Sequence, residues 1–361
     1  MKAAPYRKTI PITIFIRKNR INRLLRGRPI YNGTAPFYLH YNQLIKDADY
    51  SFPVDVQVRT STISTMTSDT KNLMKHCTLC PRECGADRSA LPGYCNGTDE
   101  VVVNLHRLHF WEEPVLSGTR GSGTIFFSNC AMECVYCQNF RISQEGRGSA
   151  RTVEELAEIM IGLQGAGAHN VNLVTASHYT PLVAEAIRAA RGRGLHIPVV
   201  WNSSAYEKPE TLRLLDGLVD IYLPDLRYFD PAAAIRYSDA PDYPDWAKKA
   251  IIEMYRQAGH LALFKGIAVK GIIIRLLVLP GQTGAMRDTL TWIRDAMGVE
   301  TWVSLMGQYY PTYRSHEYPE INRPVTEEEY RHCLGYLDEL GFEKGFVQNV
   351  GSCADYTPEF S

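Results

Sequence analysis

From Gly123 to Gly341 the chain alternates between two hydrophobic patterns. One is a short, nearly continuous apolar run. It appears in GTIFFSNC (123–130), NVNLVTAS (170–177), IPVVWNSS (197–204), IYLPDLRYF (221–229), GIIIRLLVLPG (271–281) and WVSLMGQYYP (302–311). The other is longer and places apolar residues at helical spacing. In TVEELAEIMIGLQ (152–164), Val153, Leu156, Ile159, Met160 and Leu163 mark one face, and Thr152 with Glu155 forms a capping box. PLVAEAIRAARGRG (181–194) has proline at its start and glycine at its end. Helices are read likewise over KPETLRLLDG, YPDWAKKAIIEMYRQAG, AMRDTLTWIRDAM and TEEEYRHCLGYLDELG, the last with Thr326 and Glu329 as a second capping box.

Strict strand–helix alternation through six units predicts an α/β fold, a parallel sheet with helices outside it. Continuous apolar strands fit a sheet covered on both faces. The topology is either doubly wound or a barrel, and we expect a partial (βα)6 TIM-like barrel. In both architectures the C-terminal strand ends build the site. Several of these runs end in polar residues there: Asn129–Cys130, Thr175–Ser177, Asn202–Ser204 and Asp225. Polar ends on apolar strands, repeated four times, point to a pocket at that edge.

Ahead of this region the pattern is weaker. Residues 76–122 form a cysteine-rich, loop-like lobe preceding the barrel of 123–361, with too few apolar residues for a core of its own. Residues 1–75 read as an irregular basic extension that includes RKNRINRLLRGR (Arg17 to Arg28). Residues 1–70 carry eleven Lys or Arg against four Asp, so a net charge of zero hides a basic head on an acidic body. No aromatic interleaving accompanies the basic run, so no nucleic-acid partner is expected. No apolar run reaches the length of a membrane span, and the start lacks a signal peptide's apolar core. Cytoplasmic residence is expected, with no membrane partner. Of nine cysteines, the seven in two dense clusters read as metal ligands in a reducing compartment rather than as disulfides.

The chemistry concentrates in FFSNCAMECVYCQNF (126–140), where Cys130, Cys134 and Cys137 are spaced C-x3-C-x2-C with no fourth cysteine beside them. A structural zinc site needs four ligands. A conventional zinc site here would require a distant fourth ligand such as His178. Three thiolates suit a 4Fe-4S cluster instead, holding three iron corners and leaving one open. This motif after a first strand, with Tyr136 before the last cysteine, resembles the signature of the radical S-adenosylmethionine (SAM) enzymes. Gln138–Asn139 is similar to the neighbourhood in glycyl-radical-enzyme activating proteins. CTLCPRECGADR and HFWEEPVLSGTRGSGTIFFSNC resemble a narrower group, the proteins related to pyruvate formate-lyase activating enzyme. The resemblance covers about residues 76–357.

The resemblance implies that Cys130, Cys134 and Cys137 hold a 4Fe-4S cluster whose open iron is chelated by S-adenosyl-L-methionine. Reductive cleavage would give methionine and a 5′-deoxyadenosyl radical, which takes a hydrogen atom from substrate. The substrate would be a protein glycine or another molecule, and flavodoxin or ferredoxin would donate electrons. The second-strand end handles the SAM amino group in the resembling fold. Thr175, Ala176 and Ser177 stand there in place of the Gly-Gly-Glu often found, which leaves backbone carbonyls for the task. Asn202, Ser203 and Asp225 are candidates for the carboxylate or ribose, and Arg275 for the carboxylate.

Cys77, Cys80, Cys84 and Cys95, spaced C-x2-C-x3-C-x10-C, suit a second metal, either zinc or an iron–sulfur centre. Glu112 and Glu113 read as solvated loop carboxylates. Cys333 and Cys353 read as buried cysteines, and Tyr309 as lid or packing. Two other classes compete with the enzyme reading. One is a non-catalytic iron–sulfur electron or cluster carrier; the other is a zinc-binding interaction module.

Overall fold

The computed structural model describes residues 12–16, 37–39, 68–348, 350 and 360. Two short strands come first, β1 (Ile12–Ile16) and β2 (Phe37–Leu39), then helix α1 (Ser68–Lys75). Strand β3 (Val101–His109), helix α2 (Pro114–Ser117) and strand β4 (Ser122–Phe127) follow the cysteine-rich segment. Next are α3 (Phe140–Ser143), β5 (Ser149–Arg151), α4 (Val153–Gly165), β6 (Val171–Val174) and α5 (Thr180–Gly192). Then come β7 (Val199–Ser203), α6 (Pro209–Leu212), β8 (Ile221–Pro224), α7 (Pro231–Ser238) and α8 (Tyr243–Ala258). The chain continues with β9 (Ala262–Phe264), β10 (Ile267–Leu277), α9 (Thr283–Met297), β11 (Trp302–Met306), α10 (Glu327–Leu340) and β12 (Lys344–Gln348).

One mixed sheet runs in the order β2-β1-β12-β11-β10-β8-β7-β6-β4-β3-β5. Its central stretch from β4 through β6, β7, β8, β10 and β11 to β12 is parallel throughout. This is the expected partial barrel, with one parallel strand more than the six foreseen. The seventh, KGFVQ, is short, and its lysine and glycine hide it among turn residues. Antiparallel strands flank both ends, β1 on β12 and β3 on β4.

β1 and β2 thus lie within the segment read as an irregular extension; Arg17 to Arg28 falls outside the described residues, as does Cys353. β3 lies within the segment read as a lobe. Its VVVNLHRLH alternates buried and half-buried at first, the signature of a strand with one covered face.

Two cores sandwich the sheet. Along the parallel strands, neighbouring residues in register share a face. Ile125, Leu173, Trp201, Tyr222 and Ile272 share one, and it packs on the helices. On the other face Val200, Ile221, Leu223, Ile273, Trp302 and Phe346 pack with Val115 and Leu116 of α2. Burial on both faces explains why these strands read as unbroken apolar runs. Both capping boxes form as expected: Thr152 and Thr326 accept from the Glu155 and Glu329 amides, and each glutamate accepts in return. Cys333 is buried on α10.

Candidate active site

On the face that packs against α2, five strands change character two residues after their apolar contribution. Val200 is followed by Asn202, Leu223 by Asp225, Ile273 by Arg275, Trp302 by Ser304 and Phe346 by Gln348. A period of two keeps each polar residue on the same face, nearer the C-terminal end. The apolar floor therefore passes into a polar rim at the expected edge.

Arg275 organises that rim. Its Nε donates to Asp225 Oδ1 at 2.6 Å, Nη2 to Asn202 Oδ1 at 2.6 Å and Nη1 to Glu112 Oε2 at 3.2 Å. Glu112 also accepts from Asn172 Nδ2 at 3.0 Å. Burial opposes the charge on Arg275, but Asp225, Glu113 and Glu112 outweigh it and hold the guanidinium protonated. Burial pushes the carboxyls of Glu112 and Glu113 upward, against the pull of Arg275. These two glutamates, read from sequence as solvated, are in fact drawn inside: α2 carries them beneath the rim. Local sequence lacked any signal for that, because the burial arises from where α2 docks.

The three-cysteine loop begins where β4 ends. Asn129 adopts a left-handed φ of 72°, which asparagine tolerates better than most residues, and turns the chain outward. Thr175 (φ 62°) and Ala205 (φ 60°) take the same conformation just after β6 and β7. For a β-branched residue such as Thr175 this conformation is uncommon, and strain of this kind gathers at functional edges.

Each of the three sulfurs has a donor. Cys134, buried, receives Arg227 Nη1 at 2.9 Å and Ser238 Oγ at 3.0 Å. The Met132 amide donates to Cys130 Sγ at 3.4 Å, and Ser143 Oγ lies 3.1 Å from Cys137 Sγ. Burial pushes the Cys130 thiol up to about 12 and raises that of Cys137. Arg227 also meets Asp225 at 3.2 Å, tying the loop to the rim. Burial opposes its charge, and the neighbouring Cys134 and Asp225 restore it. Tyr136 packs edge-on to Tyr228 and Tyr309, so Tyr309 is packing.

Arg227, Ser238 and Ser143 escaped the sequence reading. For Arg227 a signal existed, since it stands two residues beyond Asp225 at the end of β8. The two serines come from α7 and α3, whose approach only the fold decides.

The remaining candidates divide. Asn202, Asp225 and Arg275 meet one another. Ser203 and Ser177 instead hydrogen-bond the buried Glu207, Ser203 Oγ at 2.5 Å, and Trp201 Nε1 donates to the same carboxylate at 2.8 Å. His178 is buried with Nε2 2.9 Å from the Ser128 carbonyl oxygen.

Cys77, Cys80 and Cys95 are buried and Cys84 is exposed. Cys77, Leu79, Cys80 and Cys95 pack into the main core. Among the described residues, no group of three or more His, Cys, Asp or Glu side chains is drawn to metal-ligand spacing, at either cysteine cluster.

The family model of the radical SAM superfamily matches residues 124–293, from β4 through most of α9. An uncharacterized protein of Methanocaldococcus jannaschii is 30% identical over 313 residues, covering 84% of this chain and 87% of that one. The chain belongs to the radical SAM superfamily. Looser likenesses link this radical SAM protein to solved structures. Streptococcus suis SuiB bound to precursor peptide SuiA is 12% identical at a TM-score of 0.41, covering 58% of this chain and 43% of that one. Methylornithine synthase (PylB) is 15% identical at a TM-score of 0.40, covering 58% and 59%. The chain thus spans about half the length of these two structures, and the likenesses are too loose to argue from.

Membership implies enzyme catalysis with a 4Fe-4S cluster and SAM. The residues present fit the cluster: three close thiols, each with a hydrogen-bond donor, on a loop leaving the C-terminal end of β4. Donors aimed at sulfur stabilise the thiolate that iron requires. No helix among the described residues is long and apolar enough to cross a membrane.

Proposed function

We propose that this radical SAM enzyme belongs to the pyruvate formate-lyase activating-enzyme-like group and abstracts hydrogen from a glycine of a polypeptide. Cys130, Cys134 and Cys137 would hold the 4Fe-4S cluster, leaving one iron to SAM. Bound there, the pair would supply the chemistry of hydrogen-atom abstraction. The chain's own part is to bind and orient. Arg227 and Ser238 fix Cys134, and Arg227 links it to Asp225. Arg275 presets Asp225 and Asn202 for hydrogen bonds to ribose or carboxylate. The left-handed turn at Thr175 presents backbone carbonyls to the amino group in place of a Gly-Gly-Glu sequence. Flavodoxin or ferredoxin is the proposed electron donor, in the cytoplasm.

The observation that carries this reading is the set of three sulfurs, each with its own donor, beside a polar rim. The polypeptide substrate rests on the sequence resemblance around Gln138–Asn139. The test is anaerobic reconstitution followed by dithionite and SAM, with 5′-deoxyadenosine quantified by mass spectrometry. Wild type should yield product and Cys134→Ala none. Protein with a full cluster that neither binds SAM nor cleaves it would support an electron or cluster carrier instead.

A further inference from the structure

Two neighbouring strand ends turn the same way without glycine. Thr175 follows β6 and Ala205 follows β7, and both are left-handed. The Thr175 amide donates to the Asn202 carbonyl at 2.9 Å, so the two turns are linked at their base. A residue with a Cβ takes this conformation at a cost, and the surroundings must enforce it. Glu207 does so. It is 2% exposed. Its Oε1 accepts from Trp201 Nε1 at 2.8 Å and its Oε2 from Ser203 Oγ at 2.5 Å, and the Ser177 hydroxyl donates to the same carboxylate. Ser203 Oγ also accepts from the Ala205 amide at 3.2 Å, and the Glu207 amide donates to the Ala205 carbonyl at 2.9 Å. One carboxylate therefore grips the turn after β6 through Ser177 and the turn after β7 through Ser203.

The grip comes from behind. Trp201 lies on the helix-covered face of β7, and a period of two puts Ser203 on that face as well. Asn202, between them, points the other way and meets Arg275. Glu207 thus holds the backs of the peptide units whose fronts form the polar rim. A carboxylate suits the task, because it accepts from several donors at once and its charge strengthens each bond. Burial works against that charge, and the three donors work for it.

We propose that Glu207 is a positioning residue for SAM: by holding the turns after β6 and β7, it sets where the carbonyls of the Thr175 turn and the side chain of Asn202 stand toward the cofactor. The inference rests on the reading of those two groups as SAM contacts. Trp201, Ser203 and Ser177 all lie off the cluster loop. Loss of Glu207 therefore separates SAM binding from cluster assembly.

The test is equilibrium dialysis of SAM against reconstituted, unreduced holoenzyme, which reads binding without turnover. Glu207→Leu keeps the volume and removes the acceptor. It should carry a full cluster and bind SAM about tenfold more weakly than wild type. Glu207→Gln can restore the hydrogen bonds, its amide oxygen accepting from Trp201 and its amide nitrogen donating to Ser203 Oγ, and should bind within about threefold of wild type. A purely structural role would lower the melting temperature of Glu207→Leu and leave its SAM affinity unchanged; that result overturns the proposal, and so does a failure of Glu207→Gln to rescue. If Glu207→Leu does not fold, Ser177→Ala/Ser203→Ala strips two donors from the carboxylate and carries the same expectation of weakened binding. Asn202→Leu keeps the two readings apart. Wild type that binds no SAM, or an Asn202→Leu variant that binds it as well as wild type, defeats the reading of the rim. Weakening by Asn202→Leu with none by Glu207→Leu defeats the inference alone.

Discussion

Arg227 is the residue through which the polypeptide acts most directly on Cys134. A cation 2.9 Å from this sulfur favours the more negative charge state of whatever the thiolate binds. Arg227→Gln should therefore move the cluster's reduction potential negative. Taking about 1.4 kcal/mol as the part of that charge-assisted bond specific to the reduced state, the shift is about 60 mV for one electron. A redox titration followed by electron paramagnetic resonance measures it, and an unchanged or raised potential would refute the role. Arg275 acts differently. Its three nitrogens hold Asp225, Glu112 and Asn202, and its side chain is only 14% exposed. Arg275→Met leaves Glu112 without its cation and Asp225 with Arg227 alone, and should cost about 3 kcal/mol, read from urea midpoints. A loss below about 1 kcal/mol would show that water or proton uptake replaces it readily.

Helix α10 is fixed at its start by chemistry written in three residues. Thr326 and Glu329 cap each other's amides, and Arg323 pairs with Glu329 at 2.7 Å. The Arg323 guanidinium, foremost, holds the Glu329 carboxyl down to about 2. A depressed carboxylate contributes stability above its unfolded pKa, near 4.5, and that contribution fades as pH falls toward the folded value. Glu329→Gln should thus lower the melting temperature at pH 7, with the gap to wild type narrowing by pH 4. A gap that stays constant or widens on acidification would count against the linkage. The strands obey a different rule at this scale. Their period of two sends Leu223 to the floor and Asp225 to the rim, so one short run serves both packing and site. Gly271 in β10 shows how tight the packing becomes: its φ is 120°, and a Cβ there would stand 2.4 Å from Leu261 Cα.

At the scale of the whole molecule, the parallel strands set a row of polar ends against one loop of thiols, and 5′-deoxyadenosine formation tests that assembly. The cysteine-rich segment docks on the same edge through Arg82, Arg88, and Thr211 Oγ1 donating to the Leu79 carbonyl at 2.8 Å.

The sequence by itself determined what depends on local spacing. Helical period, capping boxes and continuous apolar runs prescribed the α/β alternation, and C-x3-C-x2-C prescribed the radical SAM loop. The polar residues ending the runs named Asn202 and Asp225, which Arg275 draws together at one edge. Only the tertiary structure decided what depends on which elements approach one another. It added β12 as a seventh parallel strand, because so short a strand is held by its partners β11 and β1 rather than by its own pattern. It buried Glu112 and Glu113 by docking α2 against the strands. It brought Arg227, Ser238 and Ser143 to the cysteines and turned Ser177 and Ser203 to Glu207. Spacing along a chain fixes which face a side chain takes on its own element; which foreign groups it meets there is set by long-range packing.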